Sequence, residues 1–158
     1  MPYSSRRVLI CCALLFAVAI PLSGCGSDDT KKSNAYVTAV NTIQTDVNAQ
    51  LSKAVALISP TSAPAVNAKA LDSSDAAIAA GVARLKAVKP PSKIAALNTQ
   101  LIAAVDGLRA PIKKARAALR RKSLPDVAAA QTGLIQGLNG AQVDFKAVID
   151  KINTKLHE

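Results

Sequence analysis

The chain has 158 residues, with 20 Lys and Arg against 10 Asp and Glu, a formal charge of +10, and half of its residues apolar. That length holds one domain and excludes two-lobed solute-binding proteins and barrel enzymes. Half apolar excludes a disordered basic tail, although 31 residues are Ala and only four are aromatic, so bulky core material is scarcer than the total suggests.

Met1 to Arg7 carries Arg6 and Arg7 without an acid, and Val8 to Ile20 follows with no polar side chain. This is the n-region and h-region pattern of an export signal. The run is shorter than the roughly 18–20 residues that a helix needs to cross the hydrocarbon core, and Pro21 ends it. Leu22-Ser23-Gly24-Cys25 then resembles the bacterial lipobox, which implies cleavage before Cys25 and acylation of its thiol. Cys11 and Cys12 lie in the discarded segment, so Cys25 is the one remaining thiol and no internal disulfide is expected. Removing 1–24 leaves 134 residues with 18 Lys and Arg against 10 acids, +8.

Residues 25–33 are expected to form the acylated Cys and a flexible tether, since Gly26 to Ser33 contains no apolar residue. From Ala35 onward Tyr36, Val40, Ile43, Val47, Leu51, Val55 and Ile58 alternate steps of three and four, which predicts a first helix. Pro60 and Pro64 bracket Thr61 and Ser62, which offer capping hydroxyls to a second helix over about 64–88, with Leu71, Ile78, Val82, Leu85 and Val88 inside. Asp72 to Asp75 could break it. Lys89-Pro90-Pro91-Ser92 ends it.

A third helix is expected over 91–122 through Ile94, Leu97, Leu101, Val105, Leu108, Ile112, Ala115 and Leu119, kinked but continuous at Pro111. Ser123-Leu124-Pro125-Asp126 reads as a capping box, opening a fourth helix to about Leu156. No segment alternates with period two. The expected fold is therefore all-α: after the signal peptide (1–24) and tether (25–33), an antiparallel up-down-up-down four-helix bundle over 34–158. Ala at inner positions should draw the helices together, which argues against a cavity.

Catalytic groupings are absent from this pattern. His157 is the sole histidine, Glu158 the sole glutamate, and no second thiol survives processing, so neither a nucleophile–base pair nor a metal or cofactor site is expected. Asp46, Asp106, Asp144 and Asp150 read as surface charges. Lys113, Lys114, Arg116, Arg120, Arg121 and Lys122 place six cations in ten residues, a solvated helix end or a candidate polyanion-binding site facing wall polymer. Lys31, Lys32, Lys89, Lys93, Lys151 and Lys155 would gather at the opposite end, beside anionic lipid headgroups. Ala129, Gly133, Gly137 and Ala141 form a small-residue stripe, read as core packing or as a groove for a partner helix. Nucleic acid is a poor partner for a chain with so few aromatics and an export signal.

Beyond the lipobox, Ile58 to Pro64 (Ile-Ser-Pro-Thr-Ser-Ala-Pro) and Leu85-Lys-Ala-Val-Lys-Pro-Pro91, followed by Ile94, Leu97 and Leu101, resemble small helical lipoproteins of actinobacteria. Those proteins carry His where this chain has Asn98. The resemblance implies a helical ectodomain on the outer face of the cytoplasmic membrane and brings no activity with it. The expected function is that of a non-catalytic, membrane-anchored binding or scaffolding module of the envelope, with the lipid on Cys25 in the membrane and an envelope protein as a possible partner. The alternatives are a ligand-free spacer and a carrier that holds a small apolar molecule within the bundle.

Overall fold

The computed structural model describes residues 28–59, 62–119 and 124–158; Cys25, the signal segment, the capping Ser123 and the basic residues Arg120, Arg121 and Lys122 lie outside them. The described residues are helical, with no strand among them: α1 (Asp28–Leu57), α2 (Pro64–Ala87), a 3-10 turn at Ser92–Ile94, α3 (Ala95–Gly107), α4 (Arg109–Leu119) and α5 (Leu124–His157). None of these helices is long and apolar enough to cross a membrane.

The three-four spacing of α1 does what it predicts: Tyr36, Val40, Ile43, Val47, Leu51 and Ile58 are all buried. They join Leu71, Ile78 and Leu85 of α2, Ile94, Leu101 and Val105 around α3, Ile112 of α4, and Leu134, Ile149 and Ile152 of α5 in one core. Fully burying such a side chain stabilises the fold by about 1.5–3 kcal/mol. Among the described residues, Ala70, Ala115 and Ala130 are the only Ala fully buried in that core. The expectation of an Ala-filled interior is therefore corrected. Most Ala residues, such as Ala35, Ala49, Ala83, Ala96 and Ala128, are on outer faces, where the residue favours helix without needing a packing partner.

Four boundaries differ from expectation. First, α1 begins at Asp28, so most of the segment expected as tether is helical, and Ser33 is buried; Asp28 and Asp29 in the first turn complement the positive end of the helix dipole. Second, α2 runs unbroken through 72–75, because Ser74 is buried and its hydroxyl donates to the Ala70 carbonyl one turn back (2.9 Å) instead of capping a new helix. Third, the Ser62 hydroxyl donates to the Leu57 carbonyl (3.0 Å) and so serves the end of α1, while Ala63 opens α2 with no side-chain cap and Pro64 at its start.

Fourth, the expected kink at Pro111 is a break. The Pro111 nitrogen cannot bond the Gly107 carbonyl and its ring crowds that turn, so α3 ends at Gly107 and α4 begins at Arg109. Leu108 between them keeps right-handed helical angles (φ −59, ψ −18) and donates to the Val105 carbonyl at 3.2 Å. The hydrogen-bond ladder is interrupted without a reversal of the chain.

Consecutive helices pack together: α1 on α2, α2 on both α3 and α4, and those two on α5. α1 and α5 make no comparable backbone contact. Glycine allows close approach at one of these contacts. A methyl group at Gly81 would stand 2.5 Å from the Val47 Cγ2, so the Val47 side chain of α1 fills the space that any side chain at position 81 of α2 would need.

Candidate apolar groove

Because α1 and α5 make little backbone contact, side chains meet across the seam between them, where a small groove remains beside the buried stripe of α1. Val40, Ile43, Val47, Leu51 and Val55 of α1 form one wall of the resulting groove and Leu138 and Phe145 of α5 the other. Leu85 of α2 with Leu101, Val105 and Leu108 form its floor. Leu101 is fully buried and Leu85 nearly so, so the groove reaches into the core. Its cavity volume is about 70 Å³, several times the roughly 10–15 Å³ that a single water requires.

The rim is polar but uncharged. Gln44, Asn48 and Ser52 follow one another at helical intervals of four along α1, and Asn139 and Gln142 stand opposite on α5. None of the lining residues carries a charge. Both amide atoms of Gln44, Nε2 and Oε1, are buried and have no hydrogen-bond partner in the structure. A buried polar group left unpaired costs about 1–3 kcal/mol, so this side chain is an uncompensated feature in the wall of an otherwise apolar slot. The expectation that close seams exclude a cavity is overturned here, since large side chains rather than Ala line the α1–α5 seam.

Other polar pairs fix the helices around the groove. The Tyr36 hydroxyl donates to Asn98 Oδ1 at 3.0 Å in the core, tying the start of α1 to α3, and burial pushes the Tyr36 hydroxyl pKa up to about 12. Lys93 Nζ donates to the Leu156 carbonyl (3.1 Å), joining the turn before α3 to the end of α5. At the other end, the Asn67 amide both accepts from the Ser59 N–H and donates to the Ser59 carbonyl, each at 3.1 Å. Gln131 Nε2 donates to the neighbouring Ile58 carbonyl at 3.2 Å. The buried Asn67 thus treats the α1–α2 turn as a strand treats its neighbour, satisfying both backbone groups of one residue.

Between α2 and α4, Arg109 grips Asp75 with two nitrogens (Nε to Oδ1 2.7 Å, NH2 to Oδ2 2.9 Å) and reaches Asp106 at 3.5 Å. The Arg109 hydrogen bond is the main cause that holds the Asp75 carboxyl below the usual carboxylate range; in return Asp75 raises the Arg109 pKa further. Sequence inspection missed this pair, because an Asp and an Arg 34 positions apart carry no local signal.

The six-cation cluster is only partly present among the described residues. Arg116 lies 2.9 Å from Asp72 of α2 and is an ion pair instead of a free docking group. Lys113 and Lys114 are exposed on α4. The other end of the molecule keeps its lysines at the surface, with Lys31, Lys32, Lys89, Lys93, Lys151 and Lys155 all exposed, Lys155 paired with Glu158. His157 is exposed in the last turn of α5. Asp46 bridges α1 to Arg84 of α2 at 2.6 Å, so this expected lone surface charge is paired across helices. The small-residue stripe divides: Gly137 packs against Pro111, whereas Gly133 has open space around it and Ala129 is exposed.

A second depression, larger at about 330 Å³, lies between α1 and α2, lined by Gln50, Lys53, Leu57, Val66 and Lys69 among others. It holds the exposed Leu57 and Val66 but is rimmed by cations and lined mainly by surface side chains. No family model, curated protein or solved structure matches the chain.

Proposed function

We propose that this protein is a lipid-anchored binding module of the extracytoplasmic membrane face, which holds a small apolar molecule in the groove between α1 and α5. The anchor is the Cys25 thiol of the lipobox-like Leu22-Ser23-Gly24-Cys25, exported by the apolar segment before it. The helices form an up-down-up-down arrangement whose α1–α5 seam is left open as the binding site. The hydrogen bonds Tyr36–Asn98 and Lys93–Leu156 support that arrangement, bringing the starts of α1 and α3 and the end of α5 to one side, where the exposed lysines face lipid headgroups.

The observation that carries this reading is an uncharged, apolar slot that reaches buried core residues. Binding sites for apolar molecules are concave and largely preformed, with a few polar groups at fixed places. Catalysis plays no part in this proposal: the module binds and presents, or shelters, its ligand.

The test is a titration of the full-length chain with N-phenyl-1-naphthylamine, whose fluorescence rises in apolar surroundings. Saturable binding is expected, and Leu138→Trp or Val55→Phe, which fill the slot, should abolish it while helicity by circular dichroism is retained; Val143→Trp, at an exposed position outside the slot, should not. Binding that survives both filling variants overturns the assignment of the site. A chain that binds no dye as a monomer is a ligand-free spacer, and one that dimerises and thereby excludes the dye uses the groove for a second copy.

A further inference from the structure

We propose that the depression between α1 and α2 is a second binding site, which takes a small anion with an apolar body, of the aromatic-carboxylate kind. The site is separate from the groove between α1 and α5 and does not rest on the function proposed for that groove.

Its size and its lining both suit such an occupant. The depression measures about 330 Å³, which falls within the range of small-molecule sites. Leu57 is 53% and Val66 41% exposed, two of the three large hydrophobic side chains left at the surface among the described residues. An apolar body lying on them removes area from water that folding has left there.

The lining residues are ordered along the two helices. Leu57 ends α1 and Val66 stands in the first turn of α2, so both border the turn that joins the helices. Lys53 and Lys69 follow one turn further along each helix, and Gln50 and Ser73 come next with uncharged hydrogen-bonding groups. Three or four residues of helix rise about 5–6 Å, a step that 2-naphthoate spans from its outer ring to its carboxylate.

The charge of this second layer is uncompensated. Acids near it on the same helices are already taken, Asp46 by Arg84 at 2.6 Å and Asp72 by Arg116 at 2.9 Å, and no acid lines the depression. Lys53 and Lys69 have no ion-pair partner among the described residues. Two ammonium groups in one depression repel each other, and a carboxylate between them is attracted to both. A cation with the same apolar body is excluded by the same charges, and a neutral one gains nothing from them.

The experiment is a titration of the full-length chain at low salt with 2-naphthoate, 2-naphthalenemethanol and 2-naphthylmethylammonium, followed by the methyl resonances of Leu57 and Val66. Naphthoate should shift both resonances saturably and bind about tenfold more tightly than the alcohol, with the ammonium weakest. Lys53→Gln and Lys69→Gln should each weaken naphthoate about two- to fivefold, the yield of one exposed ion pair, and leave the alcohol within about twofold. Together they should erase the preference. Leu57→Ser should weaken naphthoate and the alcohol alike, while Leu138→Trp, in the other groove, should change neither; circular dichroism checks the helicity of every variant. Equal binding of naphthoate and the alcohol by wild type, a naphthoate preference that survives the double Lys substitution, saturation without movement of the Leu57 and Val66 resonances, loss of binding in Leu138→Trp, or no saturable binding of naphthoate each overturns the site, whatever the groove between α1 and α5 binds.

Discussion

The Pro111 ring occupies the place where a side chain at Gly137 would stand. A methyl group at position 137 would lie 2.5 Å from the Pro111 Cβ and 3.3 Å from its Cγ, whereas Gly133 and Gly140 on the same helix have nothing within 4 Å. One glycine of α5 is thus fixed by the close approach of α4 and two are not. Gly137→Ala should destabilise the fold by about 1–3 kcal/mol through overpacking. Gly133→Ala and Gly140→Ala should stabilise it by roughly 0.5–1 kcal/mol through helix propensity. Urea denaturation of the three variants separates the two cases by sign.

The buried Tyr36–Asn98 bond gives a second outcome. Tyr36→Phe leaves Asn98 Oδ1 buried and unpaired and should cost about 1–3 kcal/mol, part of which Tyr36→Phe/Asn98→Leu should restore by removing both partners. With its hydroxyl pKa raised to about 12 in the fold against about 10 unfolded, Tyr36 contributes stability that is present below pH 10 and lost as the pH rises toward 12. Tyrosinate absorbance followed during alkaline titration should show a late-ionising Tyr that Tyr36→Phe removes.

Asn67 is the single side chain that pairs both backbone groups of Ser59. Asn67→Ala should therefore cost about 2 kcal/mol. Asn67→Asp should also destabilise, because it keeps the acceptor for the Ser59 N–H but turns a second acceptor, now charged, toward the Ser59 carbonyl. Hydrogen exchange at Ser59 should rise in both variants before the helix interiors respond.

The Asp75 carboxyl is held below its ordinary range by Arg109, so its contribution is present above the unfolded value of about 3.9 and is lost as the pH falls through the lower folded value. Asp75→Asn should lower the melting temperature at neutral pH by about 2–4 °C, a partly exposed pair being worth little. The difference from wild type should shrink steadily below pH 4 and vanish in strong acid.

The helices and nearly all of their inner faces were legible in the sequence, because three-four spacing of large residues such as Val40, Ile43, Val47 and Leu51 is a local signal. Helix ends were less so. Asp72 to Asp75 looked like a cap, yet Ser74 is absorbed by a bond within its own helix and Asp75 by a partner 34 residues away. Aggregate composition misled most: Ala suggested tight seams, but Ala lies mainly outside and the seam between α1 and α5 is lined by larger side chains. The groove had one faint trace, in that Gln44, Asn48 and Ser52 flank the apolar stripe at intervals of four where Lys or Asp would mark an ordinary solvent face.

Leu108 belongs both to the interruption between α3 and α4 and to the groove's floor. A helix carrying an unbroken ladder moves as a rod, and widening a slot against it displaces every turn at once. Here the ladder stops inside the floor, and α4 beyond the break is fastened to α2 through Arg109 and Asp75 and to α5 through Pro111 and Gly137. Under the proposed apolar-binding function, a single proline placed one turn beyond the groove would set how wide a guest its floor admits.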